Sequence, residues 1–178
     1  MACTVSLAGI TYDCTDLGIG GITRFSLVAK SVVDAAALGL NEGNRTVDTP
    51  VALAGVVDYT FNLKDGFSAF NEVKTVNADG TTTTVPTITV EFPKMTVAKV
   101  TELNEVATGG AELVAFIETA AGTYHLVGAD YGLYASSVDM SSGTSRAEKN
   151  RIQLTLTGEE NGLSYSIADE TAFNTIIA

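Results

Sequence analysis

Residues 85–128 read VPTITVEFPKMTVAKVTELNEVATGGAELVAFIETAAGTYHLVG, and the change of hydrophobic period along them decides the fold class. From Val85 to Phe92 the chain alternates. Ile88, Val90 and Phe92 lie on one face and Thr87, Thr89 and Glu91 on the other, as in a strand with one buried side. Pro86 has no amide to donate and marks a strand start or an edge. From Thr96 the period lengthens. Val97, Val100, Leu103 and Ala107 form a helical stripe, with Glu102 and Glu105 facing away. Thr96 is the expected N-cap, its hydroxyl accepting from the first free amides. Gly109-Gly110 ends the helix, since glycine accepts the left-handed cap conformation. Leu113 to Glu118 is a continuous apolar run ending in a charge. Ala120-Ala121-Gly122 places glycine where a type I turn with a bulge needs it, and Thr123 to Val127 returns antiparallel.

Toward the N-terminus, Ile22 to Lys30 sets Phe25, Leu27 and Ala29 against Arg24, Ser26 and Lys30, a half-buried strand. Ser31 to Leu40 is alanine-rich and either extends that strand or turns briefly helical. Residues 40–50 read as a long polar loop. Val51 to Leu63 and Phe67 to Val76 read as strands, broken at Lys64-Asp65-Gly66. Asn77-Ala78-Asp79-Gly80 is a hairpin turn. Toward the C-terminus, Ala129 to Asn150 is a long connection whose middle, residues 139–150, reads as a second exposed loop. Arg151 to Thr157 alternates Ile152, Leu154 and Leu156 against Gln153, Thr155 and Thr157. Asn161-Gly162 then turns the chain into a strand from Leu163 to Ile167. About eight strands around one helix make a single mainly-β domain over residues 1–178. The expected form is an antiparallel β-sandwich or barrel with one flanking helix and two long loops, 40–50 and 139–150.

The chain has 178 residues, 46% of them hydrophobic and 17% charged. That excludes wholesale disorder, and the length supplies a core without staples. Low charge with much Ala, Gly, Thr and Val fits a subunit that buries its outside against neighbours, and equally an ordinary soluble β protein. The net charge is −11 with ten Lys and Arg. Gripping a phosphate backbone depends on such residues, so DNA, RNA and anionic lipid are poor partners. The acidity either lets nucleic acid pass without sticking or simply aids solubility. The N-terminal MACTVSLAGITYDC lacks the basic region of a signal peptide before its apolar residues. No run approaches the roughly 18 apolar residues of a membrane helix.

No cluster of groups suited to catalysis stands out, and no catalytic, cofactor-binding or metal-ligating residue is assigned. His125, the single histidine, lies in an alternating strand with no nucleophile motif such as G-x-S-x-G anywhere in the chain. It is expected at a surface or interface. Leu17 to Gly21 (LGIGG) lacks the dinucleotide fingerprint and no strand precedes it. Asp13, Asp16 and the pair Glu159-Glu160 have no calcium-loop spacing and read as solvated surface. Cys3 and Cys14 match no metal motif and are expected reduced, without a disulfide, in a cytosolic chain. Asn44-Arg45-Thr46 matches a glycosylation sequon by chance.

Three stretches together carry a resemblance: DCTDLGIGGITRFSLVAK (Asp13 to Lys30), residues 88–133, and SGTSRAEKNRIQLTLTGEENG (Ser142 to Gly162). The chain resembles small structural proteins of tailed bacteriophages, especially those infecting Bacteroidetes, and its order of four strands, helix and four strands is similar to the tail-tube family. The resemblance implies a virion subunit, not an enzyme, with no catalytic residue or cofactor to transfer. It would be made in the host cytoplasm and built into the tail. Copies would form stacked hexameric rings, contact other tail or neck proteins, and let DNA pass during genome ejection without specific binding. Residues 40–50 and 139–150 would be the ring-linking loops. The other readings are a capsid decoration or head–tail joining protein and, from another class, a carbohydrate-binding β-sandwich module. The last suits poorly a chain with no Trp.

Overall fold

The computed structural model describes residues 20–60, 68–144 and 148–178. Among them are eleven strands, two α-helices and one short 3-10 turn at Lys30–Val32. In chain order these are β1 (Ile22–Ala29), β2 (Leu40–Asn41), β3 (Thr46–Val47), β4 (Val57–Thr60), β5 (Ser68–Val76), β6 (Thr82–Pro93), α1 (Val97–Thr108), β7 (Leu113–Thr119), β8 (Tyr124–Val127), β9 (Leu133–Ser141), β10 (Arg151–Gly158), β11 (Tyr165–Ile167) and α2 (Glu170–Ile177).

One continuous sheet folds over on itself. Its first half runs β2-β3-β11-β8-β7-β1-β4 and its second β9-β10-β6-β5, joined among the described residues by the pair Leu113–Leu133. Close backbone approach makes this corner. A Cβ on Gly158 would stand 2.5 Å from the Gly132 carbonyl oxygen. Gly128 has φ +86°, and a Cβ there would meet Leu133 Cγ at 2.7 Å, so only glycine fits. On the far side the halves touch through Ser68. Its hydroxyl accepts from the Ile22 amide at 3.3 Å and donates to the Ile22 carbonyl at 3.0 Å, standing in for a ladder pair.

The halves enclose the main core, including Phe25, Ile88, Val90, Ile117, Leu133 and Leu154. A second core lies on the outer face of the first half, where α2 brings Phe173 and Ile176 onto Val28, Val114, Phe116 and Leu126. β7 therefore has covered faces on both sides, and this is why Leu113 to Ile117 are all buried. Each large apolar side chain buried there contributes about 1.5–3 kcal/mol.

The fold is mainly β with a helix against it, and its local turns follow the sequence closely. Thr96 accepts from the Lys99 amide and caps α1. Gly110 takes φ +57° just past the helix. Gly122 takes φ +77° in the β7–β8 hairpin, and Gly80 takes φ +84° in the β5–β6 turn.

Other expectations are corrected. A second helix, α2, closes the chain, capped by Asp169, whose carboxylate accepts from the Ala172 amide at 2.8 Å. Residues 40–50 are no open loop. They contain the β2–β3 hairpin, and β3 pairs with β11 in the sheet's parallel register, so the sheet is mixed. In 139–150, Asp139 to Ser141 belong to β9. Asn150 is tied down by the Lys94 and Met95 amides. Residues 51–56 are not a strand; β4 begins at Val57, and 61–63 lie outside the described residues. Asn161-Gly162 bends the chain into a strand as expected, but β11 begins at Tyr165 rather than Leu163 and pairs with β8. On α1, Leu103 is buried as expected, but Val97 is 84% exposed. Ala107 is exposed too, and Val106 packs on the core in its place. Glu102 turns inward to accept from the Tyr59 hydroxyl at 2.5 Å.

Candidate functional site

The candidate surface is the outward face of the half-sheet β9-β10-β6-β5. The two sequence-level polar faces, Thr87/Thr89/Glu91 and Gln153/Thr155/Thr157, come together in register: Thr157 opposite Thr87, Thr155 opposite Thr89, Gln153 opposite Glu91. The rows continue to Asn71 and Ala69 on β5 and to Tyr134, Ser137 and Asp139 on β9. Neighbouring threonines across antiparallel strands support the sheet through side-chain contact. They leave a surface of hydroxyls and methyls with little charge.

One end of this face is charged. Glu91, 2% exposed, accepts from Arg151 at 2.7 Å and lies 3.4 Å from the Lys149 ammonium. Cross-strand pairing sets Arg151 next to Pro93 and Ser141 in the sheet, so this end of the polar face has cations beside it.

His125, expected at a surface or interface, is half-buried, 5.8 Å from the Phe70 ring. Burial holds it below the ordinary histidine range. The fold brings Ser164 and Glu72 to it, a combination invisible in the sequence. The order does not suit nucleophilic catalysis, where histidine stands between serine and acid. Here the Ser164 amide and hydroxyl both donate to Glu72, at 2.9 Å each to Oε1 and Oε2. His125 Nδ1 stands 3.4 Å from the same hydroxyl, and its Nε2 faces Thr123. The hydroxyl proton goes to the carboxylate, and the group clasps β5 to the segment before β11.

A second clasp centres on Arg45, held at φ 54° in the β2–β3 turn. Its guanidinium stacks 3.8 Å above the Tyr165 ring. It pairs with Asp130 at 3.1 Å and Glu160 at 3.8 Å, and donates to the Leu163 and Gly162 carbonyls. Tyr165 donates to Asp130 at 3.1 Å. Burial opposes ionisation of Asp130, but the Arg45 charge and the Asn161 amide outweigh it and hold Asp130 below the ordinary carboxylate range. Glu160 goes the other way. It is 3% exposed; burial, with the Asp130 charge adding, pushes it up to about 7 although the Asp130 amide pulls against the shift. Tyr165 is pushed up to about 12 by burial and by Asp130. One guanidinium thus serves two close carboxyls, and only one of them ionises easily.

Glu160, read from sequence as solvated surface, is therefore a buried clasp residue, while Glu159 is exposed. Cys3, Cys14, Asp13, Asp16 and residues 17–19 lie outside the described residues. Among the described residues no group of three or more His, Cys, Asp or Glu is placed to hold a metal ion, and no helix is long and apolar enough to cross a membrane. Comparisons with protein-family models, curated proteins and solved structures return no match to this chain.

Proposed function

We propose that this chain is a structural subunit of a phage virion, the tail-tube protein that builds stacked rings around the DNA-delivery channel. The observation that carries the reading is the half-sheet β9-β10-β6-β5. Its outer strands are nine residues each. Among the described residues, β9 meets β7 only at Leu133, and β5 pairs with no strand but β6. Long open edges invite aggregation in a monomer, and a second copy removes that hazard. Successive strands alternate in direction and their number is even. β5 of one copy and β9 of a rotated neighbour therefore meet antiparallel without either turning over. Such a heterologous contact closes into a ring when its rotation closes.

In this reading the threonine face lines the channel, and the first half-sheet with α2 stands behind it. The wall offers hydroxyls, with Arg151 and Lys149 drawn to Glu91, which supports passage of DNA without specific binding. The six-fold ring and the tail position rest on the sequence resemblance.

The test is a cross-link between edges in a variant with Ala69→Cys and Ser137→Cys, and with Cys3 and Cys14 changed to Ser. Ala69, Thr89, Thr155 and Ser137 form one row across the half-sheet. Three strand spacings separate the ends of the row, about 14 Å. A disulfide needs Cα atoms within about 7 Å, so none forms inside a chain. Oxidation, or a short bis-maleimide that tolerates a register offset, should give a ladder of covalent oligomers ending in a closed ring, with rings or tubes in negative stain. A product that stays monomeric, with discrete single particles, would sink the reading.

A further inference from the structure

A slot of about 280 Å³ lies between β1, β4 and the second half of α1, with Leu27, Ala29, Val57, Val106 and Leu113 along its walls. Gly55 stands at its rim with φ +75°, and a Cβ there would meet nothing within 4 Å, so the slot is open on that side. Drug-sized ligands fill sites of about 300–1,000 Å³. This slot suits something slimmer, a short unbranched hydrocarbon chain.

Two carboxylates border it, Glu102 half-buried and Glu105 exposed. They lie three residues apart on one helix face, where like charges oppose each other. Among the described residues no cation pairs with either. The ion pairs engage Asp58, Glu91, Glu112, Asp130 and Glu160 instead. Lys99, one turn before Glu102, donates to the Pro93 carbonyl at 2.6 Å. Lys30, beside Ala29 in the wall, goes to the Asp130 carbonyl and to Glu112 at 3.9 Å. Glu102 accepts from the Tyr59 hydroxyl at 2.5 Å. The Phe25 and Phe92 rings, centred 6.1 and 5.3 Å away, hold Tyr59 in place. Burial and the Glu102 charge keep its phenol above the ordinary range, so it remains the donor and Glu102 the acceptor. A half-buried carboxylate against apolar walls, partnered by a neutral hydroxyl, still lacks the counter-charge that offsets its loss of water.

We infer that this slot is a binding site for a primary alkylammonium group, its hydrocarbon chain against Leu27, Val57 and Val106 and its ammonium at Glu102 and Glu105. A charged head on an apolar stem matches both parts of the site. A metal ion would find no ligands along the walls, and a fatty-acid chain would bring a third negative charge to the rim. The same chemistry occurs in a lysine side chain and in a free aliphatic amine. The inference is independent of the virion reading.

The test uses a hexylamine with a mid-chain diazirine, which loses N2 on irradiation and inserts into neighbouring C–H bonds, and the alcohol of the same chain as control. Mass spectrometry of the full chain should place the amine's label on the segments that hold Leu27 to Ala29, Val57 or Val106. The alcohol should label them roughly tenfold less, the difference of one charge-assisted contact. Glu105→Gln, at an exposed position, should weaken labelling by the amine. Adding Glu102→Gln should bring it down to the level of the alcohol, whose own labelling stays unchanged and shows the slot intact. Displacement of the probe by Nα-acetyl-lysine methylamide more than by n-hexylamine identifies a lysine side chain as the source, and the reverse a free amine. Label placed elsewhere, equal labelling by amine and alcohol, or amine labelling that survives the double substitution overturns the inference.

Discussion

Glu160→Gln should abolish a pH dependence of stability that the Arg45 clasp builds into the fold. Glu160 is raised from 4.5 to about 7. The native protein therefore holds this proton more tightly than the unfolded chain does. The stability contributed by the protonated carboxyl is fully present below about pH 4.5 and is lost as pH rises through 7. Linkage over those two values gives a loss of about 2.5 kcal/mol between pH 5 and pH 8. Asp130 is lowered, so its contribution disappears only below its ordinary range, outside this window. His125, lowered by burial, contributes with the opposite sign, but it is present in both proteins and cancels in their difference. Arg45, Thr84 and Tyr131 also face the site and are the same in both proteins, so they too drop out of the difference. The assay is urea denaturation of the wild type and the variant at pH 5, 6.5 and 8. The wild type should lose about 2–3 kcal/mol relative to the variant across the series. Parallel curves would refute the raised carboxyl.

Leu103→Ala removes a side chain 3% exposed against the main core and should cost about 2–5 kcal/mol by denaturation. Val97→Ala, on the same helix but 84% exposed, should be near neutral; equal effects would show the helix face to be wrong. Asp169→Ala removes the α2 cap and should lower stability by about 1 kcal/mol, most visibly as faster amide exchange in α2; unchanged exchange would count against the cap. Gly128→Ala forces a Cβ into a φ +86° position against Leu133 and should destabilise by more than about 1 kcal/mol, measured as a shift in thermal midpoint; a neutral result would mean the corner relaxes easily.

The features legible in the sequence were those set by neighbours along the chain. Alternation in β6 and β10 identified their buried faces, because side chains on a strand alternate whatever pairs with it. Thr96, Gly110, Gly80 and Gly122 marked their caps and turns, because these depend on a few consecutive residues. The α2 helix was equally local: Asp169, Glu170, Phe173 and Ile176 carry a cap and a stripe that the sequence reading passed over. The Asn161-Gly162 bend was legible too, but a turn signal does not say which strand receives the chain, and β11 pairs with β8.

What the sequence by itself determined is the mainly-β class, the turn positions, most strand faces and the acidic balance. Only the tertiary structure decided which strands adjoin, and from that followed everything at the candidate surface. The threonine rows, the burial of Glu91 and Glu160 and the Ser164–Glu72–His125 clasp each join residues dozens of positions apart. Their pairing is chosen by the shared core that both halves of the sheet bury, a free energy that belongs to the whole chain and to no segment of it.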